Sequence, residues 1–370
     1  DLVKRTAVVH AEANQAWVSM RGENDWAGFV PHLEKVVAIA KEKGALLAEG
    51  TQMTPYEALM QTYEFGVSKA SVDAVFADMK TWLPGMVKDA LAQRAKADPI
   101  LPLTGPYPTD KQKALGLEVM EILLFDFEAG RLDVAPHPFC GNCPEDVRIT
   151  TRYDEKDFTA ALMGTVHETG HARYEQNRPK DLITQPVSEA RSMGIHESQS
   201  LFCEMHLGRS PAFVELLLPL AEKHLGKEDN LTLENLTKTY NNVAPGLIRV
   251  DADELTYPLH VLLRYEIEAA LIDGDLKAAD VPQQWDAKMM EYLGLDTKGD
   301  FKDGPMQDIH WSLGYVGYFP TYALGAMYAA QMMAACRREL GDDVVDGAIR
   351  SGKLAPISEW QERNVWSKGS

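Results

Sequence analysis

The sequence predicts a mainly α-helical chain organised as one large unit, with a small β element near residues 131–153. Three observations carry this. Apolar residues recur at spacings of three and four over most of the 370 residues. One short stretch, Val147 to Tyr153, alternates with a period of two instead. Finally, His167-Glu168-Thr169-Gly170-His171 is flanked by Ala160, Ala161, Leu162, Met163 and Val166, as a buried helix would be.

Residues 1–130 read as successive helices. Val8, Ala11, Ala16 and Trp17 fall near helical spacing, and Trp26, Phe29, Val30, Leu33, Val36 and Val37 follow it more closely. The stretch Thr51 to Pro55 breaks the pattern. Ser71 or Asp73 is the expected cap of a helix running through Val75, Met79, Trp82 and Leu83, with Pro84 as a kink. Lys111 to Ala129 reads as another helix, closed by Gly130. Pro136, Pro138, Gly141 and Pro144 then mark a loop.

In the stretch that follows, Val147, Ile149, Thr151 and Tyr153 share one face of a strand, and Arg148, Thr150 and Arg152 the other. A lone strand there would offer an edge to an extended peptide; the plainer alternative is a short hairpin strand with solvated arginines. Cys140 and Cys143 form a CxxC without a second Cys or His pair at metal spacing, so two loop thiols are expected. Beyond His171, Pro186 to Gly208 is predicted helical, then 210–224, 232–242 and a long helix through Leu262 to Leu271. Asp303-Gly304-Pro305 opens a loop, four closely spaced aromatics follow, and the tail is helical to about Asn364. With no repeat and no linker, one unit over 1–370 is the economical reading: N-terminal helices over 1–130 and a site-bearing portion over 131–370.

Composition narrows the function classes. Hydrophobic content of 45% with 25% charged residues is that of a soluble globular chain. A net charge of −18 disfavours nonspecific nucleic-acid binding and attraction to anionic membranes. No apolar run reaches membrane length, and the first residues lack the core of a signal peptide. Four cysteines make no disulfide framework at this length, which points to a reducing cytoplasm. Because the chain opens on Asp rather than Met, it is expected to lack its natural start.

The chemistry is read from His167 and His171. Four residues apart on a helix, their side chains share one face at roughly 5–6 Å between Cβ atoms and can converge on one cation. Glu168 beside them can serve as general base to a water, the zinc-peptidase arrangement. Two solvated surface histidines would be the bland alternative, but the apolar flanks argue against it. A catalytic zinc needs a third protein ligand. Glu197, 26 residues beyond His171 among small and apolar neighbours, is preferred over Glu175, Glu189 and Glu204. A donor for the developing oxyanion is expected from the Tyr and His residues between 310 and 322. Removal of C-terminal residues would also need a cation for the terminal carboxylate, with Arg148 and Arg249 as candidates.

Taken together, six segments resemble the M32 family of metallocarboxypeptidases, the thermostable carboxypeptidase Taq type. They are His137-Pro138-Phe139 (HPF), Asp146 to Thr150 (DxRxT), His167 to His171 (HExxH), His196-Glu197-Ser198-Gln199 (HESQ), Ile248 to Asp253 (IRxxAD) and Gly304 to Trp311 (GxxQDxHW). The resemblance implies a largely helical gluzincin with a deep groove, often a homodimer, that removes single residues from peptide C-termini with broad specificity using zinc or sometimes cobalt. It implies His167, His171 and Glu197 as metal ligands and Glu168 as general base and acid. Arg249 and Arg148 become groove residues that read the carboxylate, with Asp146 and Gln307 also assigned to substrate binding. His310 and Tyr322 become donors to the transition state, with Tyr318 the competing tyrosine. The chain would begin part-way through the family's N-terminal helical arm, and the CxxC lies outside the family pattern. An endo-oligopeptidase or dipeptidyl carboxypeptidase of the same zinc superfamily is the alternative activity; a peptide-binding scaffold that has lost catalysis through truncation is the alternative of another class.

Overall fold

The computed structural model describes residues 1–135 and 139–368. His137 and Pro138 of the HPF segment therefore lie outside the described residues. In chain order the elements are α1 (Leu2–Gly22), α2 (Trp26–Ala48), α3 (Pro55–Met60), α4 (Lys69–Arg94), α5 (Thr109–Ile122), β1 (Gly130–Val134), β2 (Cys140–Cys143), β3 (Asp146–Thr151), α6 (Phe158–Gln176), α7 (Met193–Leu201), α8 (Pro211–Leu225), α9 (Leu233–Tyr240), α10 (Tyr257–Ile272), α11 (Val281–Leu293), α12 (Pro320–Leu340), α13 (Asp342–Ser351) and α14 (Ala355–Asn364). The fold is mainly α, as the periodicity predicts. Among the described residues, no helix is long and apolar enough to cross a membrane.

The chain separates into two compact units that interleave along the sequence: Asp1–Ala97 with Val243–Ala323, and Asp98–Asn242 with Leu324–Ser370. In the first, α10 is the buried element. Leu259, Val261, Leu262, Leu263 and Ile267 cover its faces, and the wholly buried His260, Arg264 and Glu268 are embedded in it. Glu268 accepts from the Tyr56 hydroxyl, the Trp311 indole N–H and the Gly317 backbone N–H at 2.9–3.0 Å, tying α10 to α3 and to the aromatic segment after residue 310.

In the second unit the central element is α6. Its N-terminus is capped by Asp157, which accepts from the Thr159 N–H at 2.8 Å. Polar groups buried along it are satisfied locally: the Thr165 and Thr169 hydroxyls donate to the carbonyls of Ala161 and Thr165. A three-stranded sheet of order β1-β3-β2 packs beside α6, with β1 parallel and β2 antiparallel to β3. Met120, Phe125, Leu132, Val147, Ile149 and Ala172 form the core between them.

Several expectations need correction. The strand at 147 is neither alone nor an edge: β3 is central, hydrogen-bonded on both sides, so no extended peptide can add to it. The cysteines lie on β2 rather than in a loop, free and on opposite sides as residues three apart on a strand must be. The helix before Gly130 stops at Ile122, because Leu124 takes positive φ and the chain turns into β1. The helix of residues 69–94 is capped by Ser68, not Ser71 or Asp73, and runs through Pro84. The helix predicted from Pro186 begins at Met193, where Ser192 accepts from the Ile195 N–H at 2.8 Å.

Candidate metal centre

The two imidazoles of α6 stand as the spacing requires, ring centroids 5.1 Å apart and nearly perpendicular. α7 brings Glu197 to them. Its Oε2 lies 3.3 Å from His171 Nε2 and 3.9 Å from His167 Nε2. The three donor atoms all lie within 4.8 Å of one another, a grouping able to hold one metal ion. Close helix approach makes this possible. A Cβ on Gly170 would sit 2.6 Å from Ser200 Cα, and one on Gly325 would sit 2.8 Å from Glu197 Cβ. Only glycine lets α6 and α12 approach α7 so closely.

Each imidazole is held from behind. His167 Nδ1 pairs with Glu204 Oε2 at 2.8 Å, and Glu204 Oε1 accepts from Arg209 Nη2 at 2.6 Å. Glu204 reaches this place because α7 continues as a π-helix over Phe202–Gly208, which also aligns Arg209 five residues on. His171 Nδ1 pairs with His196 Nδ1 at 2.7 Å, and His196 Nε2 pairs with Glu175 Oε1 at 2.8 Å. Arg178 lies 3.0 Å from the other oxygen of Glu175. With both Nδ1 atoms engaged, each Nε2 is left on the side of Glu197, the arrangement in which outer partners orient metal-ligating histidines.

The electrostatics call for a cation. Burial opposes protonation of His167, but the Glu204 hydrogen bond and the charges of Glu197, Glu204 and Glu168 outweigh it and push its pKa up to about 10. Burial and the neighbouring His196 push His171 down to about 4, despite Glu197, so it stays neutral and able to ligate. Burial raises Glu168 to about 7, helped by Glu197 and Glu204 and opposed by His167. Glu204 falls to about 2: burial would raise it, but His167 and Arg209 more than compensate. Glu168, Glu197 and Glu204 around His167 and His171 thus gather three carboxylates and two imidazoles in one largely buried cluster, which suits a divalent ion. Glu204 and Glu175 orient histidines, and Glu189 is exposed after a short turn, which leaves Glu197 as the glutamate that faces both imidazoles.

The other predicted residues fall in separate places. Arg148, in the same unit as the cluster, is half exposed and gripped by its neighbour Asp146 at 2.6–3.2 Å, with no buried anchor. The remainder lie in the first unit. Arg249 is buried and donates from Nε and Nη2 to Asp308 Oδ1 at 3.0 and 2.8 Å, while Arg264 Nε donates to Oδ2 at 2.6 Å. Gln307 accepts from the Arg249 backbone N–H and donates to the carbonyls of Leu247 and Asp303, fixing the Arg249 segment. His310 Nε2 meets the Tyr322 hydroxyl at 2.9 Å, and the Arg249 guanidinium stacks 4.5 Å over the Tyr322 ring. Tyr318 packs instead against Tyr63, Tyr315 and the ring of His310.

Glu204 and Glu175 are weighed from the sequence only as third ligands, and their supporting role is not foreseen there; Arg178, Arg209 and Arg264 are not singled out, and Asp308 enters only within the GxxQDxHW segment. For the first two a clue existed. Glu175 is one helical turn after His171 and Glu204 two turns after Glu197, so each follows the face of a candidate ligand.

Comparisons with known proteins point one way. The sequence model of the family described as carboxypeptidase Taq (M32) metallopeptidase matches residues 1–370. The chain is 40% identical over 377 aligned positions to thermostable carboxypeptidase 1 of Thermus thermophilus, covering 100% of this chain and 73% of that protein. It is 39% identical over 368 positions to carboxypeptidase 1 of Bacillus subtilis, covering 99% and 72%. Among solved structures, Trypanosoma cruzi metallocarboxypeptidase 1 superposes with a TM-score of 0.97 at 49% identity, over 100% of this chain and 74% of that one.

Proposed function

The chain belongs to the M32 family of metallocarboxypeptidases and is a peptide hydrolase of that class; from that premise we propose that it removes single residues, with broad specificity, from peptide C-termini at a zinc centre held by His167, His171 and Glu197. Cobalt would serve in place of zinc. The observation that carries the reading is the convergence of those three donors with both Nδ1 atoms already engaged.

A divalent ion bound there supplies Lewis acidity and a water of lowered pKa. Glu168, buried and poised near neutrality, takes the proton of the attacking water and hands it to the leaving amine. The His310–Tyr322 pair donates to the developing oxyanion, and Tyr318 shapes the surroundings of that pair. Arg249 reads the substrate carboxylate with the part of its fork that Asp308 does not occupy, and Gln307 holds its backbone. Arg148 and Asp146 remain assigned to substrate binding by motif alone, with their mutual ion pair as the group an incoming peptide would meet. In this reading the protein works on peptides in the cytoplasm, as a homodimer, without nucleic acid or membrane.

The test is digestion of a peptide and its C-terminally amidated twin, followed by mass spectrometry. Stepwise shortening of the free acid by one residue, abolished by a chelator and absent from the amide, is expected. Equal cleavage of both would turn the reading toward an endo-oligopeptidase; release of residue pairs would turn it toward a dipeptidyl carboxypeptidase.

A further inference from the structure

One side chain far along the sequence from the metal cluster touches both helices that carry it. Trp366, in the turn Trp366–Lys368 after α14, is buried to 1% exposure. Its indole N–H donates to Gln199 Oε1 at 2.8 Å, and Gln199 stands two residues from Glu197 on α7. Its ring faces the guanidinium of Arg173, 5.3 Å from the centroid, and Arg173 stands two residues past His171 on α6. α14 reinforces both links. Ser358 accepts from Arg173 Nη2 at 2.8 Å, and Gln361 Nε2 reaches the same Gln199 oxygen at 3.4 Å. The Gln199 amide nitrogen is engaged in turn, donating to Ser198 Oγ at 2.8 Å, so the amide orientation is determined. Near this point α6 and α7 pass so closely that Gly170 has no room for a Cβ.

We propose that Trp366 is a positioning residue for the metal centre, clamping α6 to α7 at the separation at which His167, His171 and Glu197 converge. The proposal rests on reading that cluster as the metal site. Two ligands come from one helix and the third from another, so any freedom of α7 along α6 moves Glu197 against a fixed pair of imidazoles. Packing around Gly170 limits how near the helices come; a directional hydrogen bond and a cation–π contact limit how far they slide. Groups hydrogen-bonded directly to metal ligands commonly contribute tenfold to a hundredfold in metal affinity, and Trp366 acts one contact further out, through Gln199 and Arg173.

The experiment is zinc competition with a chromophoric chelator, paired with thermal unfolding, on the full chain and its variants. Trp366→Phe keeps an aromatic ring beside Arg173 but removes the N–H together with one ring of the indole; affinity is expected to fall about tenfold, and about a hundredfold in Trp366→Ala. Trp360→Phe is the control. Trp360 is likewise a buried indole, on α14 itself, but its N–H goes to Glu339, so this variant should lose thermal stability and keep wild-type affinity. Trp366→Phe that unfolds earlier yet holds zinc as tightly as wild type would overturn the clamp. So would an equal loss of affinity in the Trp360 variant. His171→Gln identifies the other failure: zinc affinity unmoved by that change would remove the metal site itself, and the clamp with it.

Discussion

Glu168 is 6% exposed and hemmed in by two further carboxylates, and in the proposed reading it is the base beside a cation. Glu168→Gln preserves the volume and removes the basicity. Metal content should be unchanged and kcat should fall on the order of 10²–10⁴-fold; full turnover in this variant would remove Glu168 from the chemistry. Glu204 acts through His167. Glu204→Gln should weaken metal binding by roughly tenfold to a hundredfold while leaving any residual kcat per bound ion nearly intact, a split that metal titration and kinetics together can read. His260 on α10 makes a prediction about pH. Burial first, then the charges of Arg264 and Arg249, push its pKa from 6.5 down to about 3. Between those values the unfolded chain takes up a proton that the folded chain does not, so His260 lowers stability as pH falls from 6.5 toward 3. Glu268, raised by burial from 4.5 to about 7, has the opposite slope between those values, and the difference between wild-type and His260→Gln melting curves isolates the histidine. That difference should widen below pH 6.5 in favour of the variant; parallel curves would contradict it.

At the scale of elements, the contact of α6 with α7 is the sensitive one. Gly170→Ala puts a methyl within 2.6 Å of Ser200 Cα, so the helices must separate. The cost should be about 1–3 kcal/mol, with a parallel loss of metal affinity; thermal unfolding and chelator competition would both show it, and a variant as stable and as metal-tight as wild type would contradict the close approach. This contact also shows what the sequence could and could not disclose. α6 was legible because its His-x-x-x-His spacing, small flanks and helical period agree. The sheet was misread because β1 pairs with β3 in parallel at an offset of 17 residues, Gly130 beside Val147, a pairing that no local alternation encodes. The start of α7 was misplaced because apolar residues at 187 and 190 continue the period on paper, while Ser192 caps the helix in fact. The π-helix that aims Glu204 leaves no trace in a pattern read at 3.6 residues per turn.

At the scale of the whole molecule, the His167, His171 and Glu197 grouping lies entirely within one compact unit, Asp98–Asn242 with Leu324–Ser370, while Arg249, Gln307, His310 and Tyr322 lie in the other. Arg249→Ala should therefore leave metal content at wild-type level and impair release of C-terminal residues, chiefly through KM; equal loss of metal and activity would make Arg249 a folding residue. The pairings behind the imidazoles were not legible from the motifs alone, because His167 meets Glu204 and His171 meets His196 only after α6 packs against α7 and its π-helical continuation. Glu197 is the proposed third ligand beside His167 and His171. Elemental analysis of wild-type protein and Glu197→Gln, each dialysed against the same weak chelator, tests this assignment most directly. The wild-type chain should retain one divalent ion and the variant close to none; a variant that keeps its full equivalent would remove Glu197 from the ligand set.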